Sequence, residues 1–221
     1  LSSIFIIDLF YTLPIIIGII GCTLSNDYIK QKKWIYTGLI LSTLYLLTAL
    51  GIKGLLHGDI KKMFQENNIT ITRYTSRPSP FNIILWSVNG ETETGYYYGS
   101  VSLFDKSIEK NLYFTPKNHH LILPFKSKRL DELLSYTKGY FAVEPYQNGI
   151  LIHDLRYGFL GDPWQNGEHF VFSYYIQKKD SRNITLKVIN PRPKNTTQLL
   201  TQLWDRLKGL PDSTPAPKTQ N

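Results

Sequence analysis

The chain is poor in cysteine: Cys22 stands alone among 221 residues. That excludes an internal disulfide framework and any zinc site built from several thiolates. There is no His-Glu-x-x-His run, no P-loop, no dinucleotide-binding glycine fingerprint and no nucleophile elbow around a serine. A concentrated run of one charge is also missing. Lys+Arg number 25 against 17 Asp+Glu, a net of +8, yet no basic run is longer than Lys126-Ser127-Lys128-Arg129. Scattered basic charge without a recognition motif argues against nucleic acid as a partner. Aromatics at 14% exclude a wholly disordered chain, which is short of them. The first residue is Leu1 rather than Met, as expected of a processed product or of a fragment lacking its N-terminal portion.

A mean hydropathy of −0.20 conceals an uneven distribution. The apolar residues concentrate in residues 1–56, as Ile4–Leu24 and Trp34–Leu56, with the nine-residue, mostly polar segment 25–33 between them. Both runs reach the roughly 20 residues that cross a hydrocarbon core, and Trp34 and Tyr36 sit where interface aromatics belong. The pattern predicts a helical hairpin in a membrane. A pair of buried helices in a soluble core is the alternative, disfavoured because neither run has a polar face. A secretory signal is disfavoured because no basic segment precedes the first run. Each run holds one charge, Asp8 and Lys53, at matching depth in a hairpin of that register. Asp8 and Lys53 are therefore expected either to pair within the membrane or to snorkel separately to its surface. Lys30, Lys32 and Lys33 balance Lys53, Lys61 and Lys62, so charge does not orient the hairpin.

After a helical exit over 57–68, alternating β-branched and aromatic runs predict strands at 69–76, 82–88, 95–104, 140–146, 150–158, 169–177 and 183–190, with LILPF (121–125) as a further strand. Arg77-Pro-Ser-Pro80 breaks the first strand. Asn148-Gly149 between two alternating runs is a hairpin signal. Helices are predicted at 127–137, with Leu130, Leu133, Leu134 and Thr137 on one face, and at 196–210, with Leu199, Leu200, Leu203, Trp204 and Leu207 on one stripe. The expected fold is a membrane helical hairpin (1–56), then an extramembrane α+β domain (57–210) with a mainly antiparallel sheet covered by one or two helices, then a disordered tail (211–221). The extramembrane part holds 21 Lys+Arg against 15 Asp+Glu, a balance suited to anionic headgroups.

Candidate chemistry is sparse. His57 and Asp59 follow the second run on the same expected face as Asp8, so Asp8, His57 and Asp59 form a candidate divalent-metal set, zinc included, against the plainer reading of an interfacial helix start. His153 and Asp154 are strand neighbours and point to opposite faces, so adjacency does not make them a dyad. Arg77, Trp86, Asp154 and Arg156 are candidates for anion or substrate contact. Arg156 lies within reach of Asp154, and a Trp in the same sheet adds a stacking surface. The competing reading is a salt-bridged sheet face with a core Trp.

Ser3–Asp8, Tyr11–Pro14, the Pro80-to-Trp86 segment and Asp154-Leu-Arg-Tyr-Gly158, together with GYYYGSVSLFD, resemble the YdjM-like bacterial inner-membrane proteins, classed as metal-dependent hydrolases. The resemblance runs over about residues 2–208. The family's His-Arg-x-x-Thr-His-Ser and His/Asp motifs do not occur in this sequence. The resemblance therefore implies the C-terminal portion of a multi-pass bacterial inner-membrane hydrolase, inactive alone. In the intact parent a divalent metal would activate water, Asp8 would border the site, and the substrate would be a lipid or lipid-linked molecule. The second reading is a non-catalytic, membrane-tethered binding or scaffolding domain. Convergence of Arg77, Trp86, Asp154 and Arg156 on one membrane-facing pocket would favour the first; dispersal or core packing would favour the second.

Overall fold

The computed structural model describes residues 8–79, 81–105, 112–125, 127–157, 170–179, 183–189 and 196–210. The expected tail over 211–221 lies outside them, as do Pro80 and Gly158 of the two motif segments. The order of elements is an N-terminal helix pair followed by two four-stranded antiparallel sheets with short helices, an α+β arrangement.

Asp8 opens helix α1 (Leu9–Leu24). Its carboxylate accepts from the Phe10 and Tyr11 amides, two donors that a helix start leaves without intrahelical partners. The described helix begins at Leu9 with Asp8 as its cap, and residues 4–7 of the expected run lie outside the described residues. Asp27 caps helix α2 (Tyr28–Glu66) in the same way through Ile29 N. Most of the expected loop over 25–33 is thus helical, and only Ser25, Asn26 and Asp27 connect the two helices.

That short link sets the register of the pair. Ser42 Oγ donates to the Tyr11 carbonyl, and Gly38 lies against Pro14 and Gly18. A Cβ on Gly38 would stand 2.5 Å from the Pro14 carbonyl oxygen, so only glycine lets the two backbones come this close. Leu13, Ile16, Ile17, Ile20, Leu39 and Leu44 remain exposed around the pair. Among the described residues α2 is the one helix long and apolar enough to cross a membrane. Its 39 residues span about 58 Å, whereas the 16 of α1 span about 24 Å.

Helix α2 continues unbroken through the expected boundary at 56/57. Its last turns carry Leu56, Ile60, Met63 and Phe64 into a core with Trp86, Val88 and Val101. These belong to sheet 1, ordered β1 (Arg73–Pro78), β2 (Leu85–Glu91), β3 (Gly95–Ser102) and β4 (Tyr113–Pro116). The expected break at Arg77 is absent, because β1 is an edge strand and tolerates Pro78 opposite Trp86. The short strand β4 has no counterpart in the expected pattern. LILPF is not a strand: His119–Ile122 forms a 3-10 turn behind Asn118, whose φ of 47° turns the chain.

Sheet 2 runs β5 (Phe141–Tyr146), β6 (Gly149–Asp154), β7 (Ser173–Lys178) and β8 (Ile184–Ile189). The Asn-Gly signal holds, with Tyr146 opposite Gly149 across a two-residue turn. Helix α3 (Lys128–Thr137) buries Leu130 and Leu133 on Val143, Ile150, Ile152 and Ile176, as its periodicity predicts. A third cluster, Tyr96, Tyr98, Ala142, Leu155 and Phe170, joins the two sheets. Helix α4 (Thr196–Leu207) departs from expectation. Leu200 and Trp204 of its apolar stripe are exposed, while Arg206 is buried. Arg206 turns inward because Ser100 Oγ, the Ser100 carbonyl and Asp105 offer it acceptors at 2.8–2.9 Å.

Candidate functional site

Strand alternation decides which sequence candidates meet. Trp86 stands opposite Pro78 on β1, whereas Arg77 stands opposite Ser87, one residue out of step. The two side chains therefore leave sheet 1 on opposite faces. Trp86 goes into the α2 core, fully buried, and its indole N–H donates to the Ile83 carbonyl at 2.8 Å. It is a packing residue.

Arg77 goes to the other face, where Tyr157 from the end of sheet 2 meets it. Its guanidinium lies 5.6 Å from the Tyr157 ring centroid. Arg156 approaches the same ring at 5.3 Å. Arg156 is also clamped on Asp154: Nη2 donates to Oδ2 at 2.6 Å, and Nε to Oδ1 at 2.9 Å. The Asp154 hydrogen bonds raise the Arg156 pKa above its ordinary value, against a smaller opposing effect of burial. Burial, and next the Asp154 carboxylate, push the Tyr174 hydroxyl up as well. So Arg77, Asp154 and Arg156 share one corner around Tyr157, and Trp86 does not join them. The Asp154 carboxylate is occupied by Arg156, so it is not poised as a base. Arg77 differs, because its Nε is buried without a hydrogen-bond partner in the described structure. The corner can hold an anion beside an aromatic ring.

The expected metal set does not assemble. The Asp8 carboxylate accepts from Tyr45 Oη at 2.9 Å. Lys53 lies eight residues further along α2, about 12 Å, so the short interhelical link moves it out of register with Asp8. His57 is about 18 Å beyond Tyr45 by the same rise, and its Nδ1 bonds the Tyr74 hydroxyl. Asp59, two positions on, points away around the helix. Among the described residues no three His, Cys, Asp or Glu side chains are grouped for a metal ion. The donors at Asp8, His57 and Asp59 do not fit one.

Two polar networks escaped the sequence. His153 Nδ1 lies 2.8 Å from Ser173 Oγ, its cross-strand neighbour, and Nε2 lies 3.3 Å from Glu144 Oε1. The order Ser–His–Glu imitates a hydrolytic relay. However, Ser173 is 6% exposed and His153 3%, with Phe170 stacked 4.3 Å from the imidazole. Both are buried packing partners, and His153 Nε2 makes no hydrogen bond among the described residues, so the trio is not an aligned relay. The other network is Glu91 between Arg73 and Lys117, the latter at 2.8 Å. Burial raises the Glu91 pKa, but the Lys117 and Arg73 hydrogen bonds outweigh it, so Glu91 lies below its ordinary value. Both networks join residues that strand pairing brings together from separate segments, so only pairing register could have revealed them.

No family model, curated protein or solved structure matches the chain.

Proposed function

We propose that this chain is a membrane-tethered α+β domain that serves in binding or scaffolding, with no catalytic site of its own. The observation that carries the reading is the continuity of α2. One helix passes from a stretch whose large apolar side chains are mostly exposed, apart from the face on α1, into the core of a folded domain. Water tolerates such a bare apolar cylinder poorly, and a bilayer covers it. In this reading α1 and α2 form a hairpin in the membrane. The Asp8–Tyr45 bond and the Gly18–Gly38 approach then hold the two helices together where no water competes. A two-sided labelling test decides it. Cys22→Ser protein carrying Asn26→Cys at the helix link or Thr94→Cys at the far end of sheet 1 is placed in sealed proteoliposomes. A spanning hairpin puts the two thiols on opposite sides for an impermeant maleimide. Equal labelling of both from outside, in molecules of one orientation, refutes it.

The reading as the C-terminal portion of a YdjM-like hydrolase rests on sequence resemblance. It gains nothing from Asp8, His57 and Asp59, because His57 lies about 18 Å along α2 from the Tyr45 that holds Asp8. Stoichiometric divalent metal in a longer parent protein, with none in this chain, would support it.

A further inference from the structure

The level at which sheet 1 meets α2 has a consequence for the domain. Gly90 on β2 lies against the Phe64 ring. On the neighbouring strand, Tyr74 stands opposite Gly90 and bonds His57, whereas Arg77, opposite Ser87, lies within electrostatic reach of Lys53, which is earlier on α2. Moving back along β2 is therefore moving back along the helix. From Gly90 to Ile84 is six residues, about 20 Å of strand, which equals about 13 residues of helix. For a strand aligned with the helix, Ile84 and its partner Leu103, whose N–H donates to the Ile84 carbonyl at 3.1 Å, draw level with about residue 51 of α2. That level is inside the apolar stretch.

The residues at this end are of the wrong kind for water. Leu103 and Phe104 follow β3 and are 38% and 56% exposed. Phe81, in the β1–β2 connection, is 49% exposed, and so is Leu210 after α4. Turn tips in water favour Gly, Asn, Asp and Ser instead. They are also held firmly. Phe81 has a φ of 62°, a conformation that costs energy for a bulky residue. Asn82 Oδ1 fixes that turn by accepting from Ile84 N and Leu85 N at 3.0 and 2.8 Å. Asp105 accepts from Ser102 N at 2.6 Å and from Arg206 at 2.9 Å, which pins the Leu103–Phe104 tip to α4.

The geometry points to a second membrane contact: the Phe81, Leu103–Phe104 and Leu210 end of the domain enters the headgroup–acyl boundary of the bilayer that holds α2. The occupant of this surface is lipid, because the helix beside it is apolar at the same level and the tips continue that surface. Basic Arg77 stands one residue before Pro78, just above the tips, where anionic headgroups would lie. Insertion of about 5–10 Å is the usual depth for such an apolar rim. The domain then sits down on the membrane rather than hanging from α2, which fixes its orientation.

This inference rests on the membrane reading of the helix pair, and the test separates the two. In Cys22→Ser protein, single cysteines replace Phe104, Leu44 on α2 and Thr94 at the opposite end of sheet 1. Each is labelled with NBD and reconstituted into phosphatidylcholine–phosphatidylglycerol vesicles, with and without doxyl-labelled lipid. The expected result is emission at Leu44 and Phe104 cut by more than half by the doxyl lipid, with Thr94 unchanged. Quenching at Leu44 but not at Phe104 overturns the second contact and leaves the anchor. A blue-shifted but unquenched probe at 104 also overturns it, and assigns that surface to another protein copy. No quenching at Leu44 removes the membrane reading and the second contact together. Leu103→Cys, probed in parallel, guards against failure of the Phe104 variant to fold.

Discussion

The joint between α2 and sheet 1 is the point on which the rest depends, and a double-mutant cycle tests it. Phe64 is 1% exposed in the core it shares with Trp86 and Val88. Truncation to Ala removes a large buried ring, and Phe→Ala changes in such cores cost about 3–5 kcal/mol. Gly90→Ala fails for the opposite reason. The new Cβ would lie 2.4 Å from Phe64 Cζ, so the ring must shift, at about 1–3 kcal/mol. Independent sites would sum to about 6 kcal/mol. These are not independent. With the ring gone the nearest atom the Gly90→Ala methyl meets is Ile71 Cγ2, at 3.0 Å, and the methyl fills part of the vacated space. The double variant is expected to lose about 3–4 kcal/mol, a coupling of about 2–3 kcal/mol in favour of the pair. Urea titration in mild detergent measures all four proteins. Indole emission follows the transition, since Trp86 lies in the same core. Additivity within about 0.5 kcal/mol would refute the packing of α2 on the sheet. The level argument for the membrane contact would fall with it.

Two further outcomes follow from the same geometry. The Glu91 carboxyl lies below its ordinary value of 4.5, so its stabilisation is present above that pH and is lost as pH falls through the depressed folded value. Glu91→Gln should therefore cost about 2 kcal/mol at pH 7 and progressively less below pH 4.5, read by stability curves of both proteins across acid pH. Gly38→Leu should force the helix pair apart, because even its first carbon would stand 2.5 Å from the Pro14 carbonyl oxygen. Disulfide formation between Tyr11→Cys and Ser42→Cys, in Cys22→Ser protein, should then fall several-fold, and unchanged cross-linking would count against the close crossing.

Much of the scaffold was open to reading residue by residue. The apolar runs, the Asn148-Gly149 hairpin and the Leu130–Leu133 face of α3 follow from local pattern, which is a property of neighbouring residues. The opposed directions of His153 and Asp154 follow from the two-residue period of a strand. What failed locally failed for tertiary reasons. The Asp27 cap shortened the helix link, which shifted the whole pair and gave Asp8 to Tyr45 instead of to the level of Lys53. Arg206 turned inward because Ser100 and Asp105, about a hundred positions away, supply its acceptors. The meeting of Arg77 with Tyr157, and the parting of Arg77 from Trp86, depend on which strand pairs with which and in what register. The sequence alone determined where apolar surface must be covered and where the chain must turn. Only the tertiary structure decided which polar groups meet, because a hydrogen bond or ion pair acts over about 3 Å and the chain brings its members together from far apart.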